Sequence, residues 1–211
     1  MGTLTTREIL LTGFEPFGPY AVNPSGEIAK TLDGREVGEC RVRSVVLPVH
    51  HAEAATVVAR SMAEGAPLAV VHLGLAGGRA RIALERVALN VMDYELADVS
   101  GYRTTGEPCV AGGPAAYLST LPLPAMLHAL IAVGIPAYLS NTAGTYLCNQ
   151  TMYTTRHAVE SAGHGPAAGF IHLPLLPSMV AGSGLDQPSM DLPLMLRAVE
   201  VCLGVVARGR S

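Results

Sequence analysis

The sequence predicts an α/β fold, a single domain over residues 1–211 built as a three-layer α/β/α sandwich on a mostly parallel, twisted central sheet. Three observations carry that expectation. Short runs such as Leu68–Gly74 and Ala168–Leu173 are apolar on both faces, as strands covered by helices on two sides are. Helix-compatible stretches alternate with those runs, and glycine or proline punctuates the junctions. No repeat or low-complexity linker divides the 211 residues, a length that suits one sizeable core.

In chain order, Glu8–Gly13 reads as a short buried strand that ends in the loop Gly13–Gly18. Asn23-Pro24-Ser25 reads as a helix start running to Leu32, with Asp33-Gly34 as its stop. Arg41–Val49 alternates and then turns apolar, which predicts a second strand. Ala52–Glu64 is an alanine-rich helix closed by Gly65, and Leu68–Gly74 is the next strand. The glycine-rich turn Gly74–Arg79 follows, then Ile82–Val91, an apolar segment interrupted by Glu85-Arg86. Met92–Pro108 reads as a polar peripheral loop or hairpin, Gly112-Gly113-Pro114 as punctuation, and Pro124–Val133 as a helix ended by Gly134. An apolar run from Ala137 breaks at Thr142-Ala143-Gly144 and resumes as a helix to about His157, with Thr145 as its expected N-cap. Gly163–Gly165 is a loop, Ala168–Leu173 a strand stopped by Pro174 and Pro177, Gly182–Pro188 a loop, and Met190–Ala207 a last amphipathic helix.

Composition narrows the functions. A net charge of −3 offers no basic footprint for nucleic acid. Apolar runs such as Leu68–Leu75 are too short to cross a bilayer, and the polar start Met1–Glu8 carries no signal-peptide core, so a cytoplasmic protein without a membrane partner is expected. Only 15% of residues are charged while mean hydropathy is +0.35, which points to surface covered by self-association. The four cysteines are scattered without paired spacing, and free thiols are expected.

The residues able to do chemistry gather at expected strand ends. A helix starting at Thr145 puts Cys148 in its first turn, where unpaired N–H groups and the helix dipole favour a thiolate. An inert, buried cysteine satisfies the same pattern. His172 closes a strand, and Glu85 lies beyond the glycine turn. Cysteine, histidine and a carboxylate are the parts of a thiol hydrolase, although spacing alone does not show that they meet. Taken by itself, Glu85-Arg86 reads as a surface charge pair. His72, inside a strand, reads as a hydrogen-bonded core histidine. Cys40, Cys109 and Cys202 read as packing or surface thiols. The turn Gly77-Gly78-Arg79 can hold an oxyanion or a phosphate, but it lacks the lysine and spacing of a P-loop. His50, His51 and Glu53 lack a second ligand pair for a metal. Phe14 and Phe17, two of three phenylalanines in the chain, sit on a glycine-flanked loop as pocket walls or as a lid on the core.

These stretches also carry a resemblance. Thr12–Gly18 with Asn23-Pro24-Ser25, Gly77-Gly78-Arg79 with Glu85–Asn90, Gly112–Tyr117, Thr142–Asn149 and Gly169–Pro174 resemble the motifs of pyroglutamyl peptidase type I, in the same order over nearly the whole chain. The resemblance implies a cytosolic cysteine exopeptidase without a cofactor or metal, usually a homotetramer, which acts on peptides with N-terminal pyroglutamate. It implies Glu85, Cys148 and His172 as the catalytic triad. It also implies pocket walls from Phe14, Phe17, Val49, Leu75, Leu96, Tyr146 and Leu147. Two positions depart from the usual pattern: Glu95 replaces a basic residue and Leu75 replaces a glutamine. A phosphate-using nucleoside enzyme on a similar fold, and a pocket that binds without turnover, are the competing readings.

Overall fold

Each apolar run becomes a strand, and register places the polar exceptions. The computed structural model describes residues 7–181, 183–184 and 186–209. The strands are β1 (Arg7–Phe14), β2 (Glu36–Val37), β3 (Cys40–Leu47), β4 (Ala69–Leu75), β5 (Ile82–Glu85), β6 (Val87–Leu89), β7 (Ala116–Leu118), β8 (Ala137–Ser140) and β9 (Ala167–Leu173). The helices are α1 (Pro24–Leu32), α2 (Glu53–Gly65), α3 (Leu123–Ala132), α4 (Leu147–Ser161), α5 (Pro177–Val180) and α6 (Leu192–Arg208). One seven-stranded sheet has the order β2-β3-β1-β4-β9-β5-β8, and β6 pairs with β7 apart from it. β3, β1, β4 and β9 run parallel, whereas β5 and β8 run parallel to each other and antiparallel to β9. The fold class is the expected one. The short strands β2 and β7 and the single turn α5 carry too little pattern to be read in advance, and Gly182 and Leu185 of the expected last loop lie outside the described residues.

Two cores lie on opposite faces. On one, Ile9, Leu11, Val71, Leu73 and Ile171 pack with Ile28, Leu32, Met126 and Leu203 from α1, α3 and α6. On the other, Phe14, Leu47 and Phe170 pack with Val58 of α2 and Leu147, Met152 and Tyr153 of α4. α1 begins as expected: Asn23 Oδ1 accepts from Ser25 N at 3.1 Å, with Pro24 in the first turn. α2 ends differently. Gly65 was expected to end the helix, but the left-handed residue that stops it is Ala66, at φ 42°. Gly65 remains helical, and a Cβ on it would lie 2.3 Å from Glu8 Oε1 and 2.5 Å from Arg43 Nη2, inside the Glu8–Arg43 ion pair. Among the described residues no helix is long and apolar enough to cross a membrane.

His72 is the core histidine expected. Its Nδ1 lies 2.8 Å from Thr12 Oγ1 and its Nε2 3.0 Å from Thr155 Oγ1, and the residue is fully buried. Burial pushes its pKa down to about 3. The folded value lies below the unfolded one, so the contribution is whole above pH 6.5 and is lost as pH falls toward 3. Chemical denaturation of the parent should weaken by up to about 1.4 kcal/mol per pH unit in that window, from this group alone. His72→Gln should flatten the dependence, and an unchanged slope would assign the acid lability to other groups.

Candidate active site

β1, β4, β9 and β5 present one face to α4, and register lines up its residues. Thr12 pairs with His72, His72 with Phe170, and Gly74 with His172. Across the antiparallel junction Ala83 pairs with His172, and Glu85 pairs with Phe170. Glu85 ends its own strand, but β5 runs against β9. The carboxylate therefore comes from the opposite direction to lie on the diagonal beside His172, rather than at a shared rim of strand ends. It is fully buried, while its neighbour Arg86 is exposed and donates to Asn141. The surface-pair reading of Glu85-Arg86 is thus corrected: adjacent residues of an extended chain point to opposite sides.

His172 Nδ1 lies 2.7 Å from Glu85 Oε1. Burial raises the Glu85 carboxyl, but the His172 ring, Ser140 and Arg79 together outweigh burial and hold it below the usual glutamate range. The acid is therefore ionised, so Nδ1 must carry the proton of this hydrogen bond, and in the neutral ring Nε2 keeps a free lone pair. Burial is also the largest influence on His172. It pulls the ring's pKa down against the opposing pull of Glu85, so the neutral ring is the resting form.

Cys148 is the second residue of α4. The expected cap is wrong: Tyr146 precedes the helix, no side chain caps it, and Thr145 Oγ1 instead donates to Asp93 O at 3.0 Å. First-turn N–H groups are left to whatever binds there. Burial, and then the Glu85 carboxylate, push the thiol up to about 12, with Arg79 pulling the other way. Among the described residues Cys148 Sγ makes no hydrogen bond to His172. Gly74 brings the two elements together. A Cβ there would lie 3.0 Å from Cys148 Sγ and 2.7 Å from the Phe170 ring, so only glycine lets α4 sit this close to β4.

Beside the sulfur lies a small, shallow apolar depression lined by Phe14, Phe17, Asn23, Val49, Leu75, Tyr146, Leu147 and Cys148. Asn23 was missed because capping explains it fully: Nδ2 donates to Glu15 O and Oδ1 accepts from Ser25 N and Oγ. Leu96 stands apart. It is exposed and lines an adjoining depression with Phe17, Glu95 and Tyr146. The segment 92–108, expected as a peripheral loop or short hairpin, does fold back on itself, with Met92 bridged antiparallel to Glu107, but it also clasps the pocket. Asp93 N bonds Thr145 O, Val99 N bonds Val49 O, and Tyr94 donates to Gln150 of α4. Asn149 binds Leu89 through both its amide oxygen and nitrogen, fixing α4 to β6.

Other candidates are occupied by structural bonds. Arg79 Nη1 lies 2.6 Å from Glu85 Oε1, so the guanidinium that the competing phosphate reading would need is already paired. His50, His51 and Asp98 offer ligand atoms within 4.8 Å of one another, with Asp98 rather than Glu53 beside the two histidines. His50 Nδ1 accepts from Ala52 N and Glu53 N, and Asp98 accepts from His51, Ser100 and Tyr102, so this cluster serves as loop anchorage. Cys40 and Cys202 are buried, and the half-buried Cys109 donates to backbone carbonyls of Leu89 and Val91.

The model of the pyroglutamyl peptidase family matches residues 7–209. The pyrrolidone-carboxylate peptidase of Pyrococcus furiosus is 42% identical over 201 residues, covering 94% of this chain and 97% of the relative. The pyrrolidone-carboxylate peptidase 1 of Ralstonia nicotianae is 42% identical over 200 residues, covering 95% and 93%. A crystal structure of a mutant pyrrolidone carboxyl peptidase from P. furiosus superposes with a TM-score of 0.94 at 40% identity, covering 97% of this chain and all of that one.

Proposed function

Because the chain belongs to the pyroglutamyl peptidase family, cysteine peptidases that remove N-terminal pyroglutamate, we propose that Cys148, His172 and Glu85 carry out that reaction here through a thioester acyl-enzyme. The observation that supports this most is the Glu85–His172 bond, with the ring's other nitrogen left basic on the face that holds Cys148. Cys148 attacks the pyroglutamyl carbonyl, and His172 Nε2 takes the thiol proton and returns it to the leaving amine. Water then attacks the thioester with the same nitrogen as base, and Glu85 keeps the ring in one tautomer throughout. The uncapped first turn of α4 supplies N–H donors for the tetrahedral oxyanion.

The pocket accounts for the substrate. A pyroglutamyl residue is a neutral lactam, and Phe14, Phe17, Val49, Leu75, Tyr146 and Leu147 give it apolar walls without a charged side chain. A proline or glutamine with a free ammonium would enter unpaired and be rejected. Leu96, in the adjoining depression that shares Phe17 and Tyr146, is placed to meet the part of the peptide beyond the lactam. The whole chain is one catalytic domain, acting in the cytoplasm as a homo-oligomer of four. The scarcity of surface charge and the exposed Leu118, Ile131 and Val133 favour the assembly.

The test is fluorophore release from a pyroglutamyl amide beside a prolyl amide. Cleavage of the first alone is expected. No cleavage by folded, reduced protein would leave a binding protein, and turnover of nucleosides only with phosphate would overturn the proposal outright.

A further inference from the structure

Glu85 Oε1 receives two donors at once, His172 Nδ1 at 2.7 Å and Arg79 Nη1 at 2.6 Å. The carboxylate is completely buried, and the Arg79 side chain is only 24% exposed. We propose that Arg79 is a positioning residue for this chemistry: it holds the Glu85 carboxylate against His172 and cancels that carboxylate's charge beside the Cys148–His172 pair. The inference rests on the reading of that pair as nucleophile and base.

Geometry carries the first half. A buried carboxylate that met only a neutral imidazole would be poorly compensated for its lost hydration. A second, charge-assisted bond to the same oxygen pins the carboxylate while its other bond keeps the ring's orientation. Arg79 reaches this point from the turn after β4, where Gly78 takes φ 77°. A guanidinium brought in by a tight turn is held at a fixed distance, unlike one on a free loop.

Charge carries the second half. Glu85 favours a proton on His172 and disfavours a thiolate at Cys148, and Arg79 acts in the opposite sense on both groups. With both present the fixed charges beside the pair sum to zero. Other titratable groups on the elements packed here are few. His72 on β4 is held neutral by burial, the Tyr146 hydroxyl is directed to Ala97 O, and Arg86 next to Glu85 is exposed and turned to Asn141. Without Arg79 the lone carboxylate would hold a proton on His172 while Cys148 kept its own. That form has neither base nor nucleophile.

The experiment is the pH profile of kcat/KM on a pyroglutamyl amide for the parent, Arg79→Ala, Arg79→Gln and Arg79→Lys, with thermal unfolding of each. Loss of a positive charge raises proton affinity, so both limbs of the profile belonging to the coupled pair should move to higher pH by about a unit in Arg79→Ala and Arg79→Gln. Their rate at pH 7 should fall about tenfold to a hundredfold, mainly in kcat. Arg79→Lys should return the limbs to the parental position while recovering only part of the rate, because one ammonium does not reproduce the fork of a guanidinium. If Arg79→Ala does not fold, the Gln and Lys variants make the same comparison. Parental limbs in the neutral variants, or limbs displaced equally in Arg79→Lys, would overturn the proposal while an inactive Cys148→Ala leaves the underlying reading intact. An active Cys148→Ala would instead overturn the reading on which it rests.

Discussion

Cys148→Ala should lose at least about 10⁴-fold in kcat/KM on a pyroglutamyl amide, with its unfolding temperature within a degree or two of the parent's. The expected size follows from what the sulfur does. No other nucleophile lines the pocket, and a water attacking in its place would lack both the sulfur's nucleophilicity and a proton relay aligned to it. His172→Ala should fall as far, because the thiol is pushed up to about 12 and the other groups nearby are committed elsewhere: Glu85 is paired with Arg79, and both ring nitrogens of His72 are bonded to threonine hydroxyls. Glu85→Gln should fall less, about 10²- to 10⁴-fold, since an amide keeps a bond to the ring but no longer fixes its tautomer. Steady-state kinetics on the three purified variants measures this order. Parental activity in Cys148→Ala would end the proposal, and Glu85→Gln equal to the parent would remove the acid from it.

Gly13→Ala should be the most damaging small substitution for stability, by about 3 kcal/mol or more, lowering the unfolding temperature by roughly 6–12 °C. A Cβ at Gly13 would lie 2.1 Å from Ser25 O and 2.4 Å from its carbonyl carbon. Both are backbone atoms at the start of α1, so relief requires moving the helix away from the strand. Gly26 repeats the constraint from the other side, 2.5 Å from Phe14 O. The same junction aims the pocket, since Phe14 N donates to Ser25 Oγ and Asn23 holds Glu15 O. Gly77→Ala serves as the control, because its Cβ would meet only ordinary contacts at 3.8 Å. Thermal unfolding followed by circular dichroism decides between them, and equal effects at Gly13 and Gly77 would refute the close-approach account.

The sequence made strands and helices legible where a periodic pattern was long enough, as in β1, α1, β4 and β9. It placed Cys148 in a first helical turn and His172 near a strand end, because those are properties of local pattern. Glu85 was opaque. A carboxylate beside an arginine in an extended segment looks solvated, and the residues that bury it belong to β9, eighty-odd positions later. Arg79 was misjudged for the same reason: its partner is set by the fold of a turn and not by neighbours in the chain. Caps failed where tertiary bonds compete with local ones. Thr145 spends its hydroxyl on Asp93, and Gly65 leaves the left-handed position to Ala66 to make room for an ion pair. The clasp of residues 92–108 could not be read, because Tyr94, Asp98 and Tyr102 are tied to the pocket through Gln150 and His51, each about fifty positions away in sequence.

β9 occupies the middle of the sheet, between β4 and β5, yet it consists of residues 167–173 of a chain of 211. On the ribosome, the first three-quarters of the polypeptide must therefore wait with two half-sheets and an unfilled slot between them. The strand that closes the slot is the one that carries His172, the proposed base. Assembly of the hydrophobic interior and completion of the proposed site then fall in a single late event, with the slow closure expected of non-local pairing, parallel to β4 and antiparallel to β5. Nascent chains stalled short of that strand would hold Cys148 and Glu85 without His172, so on the proposed roles a half-made chain would lack its base.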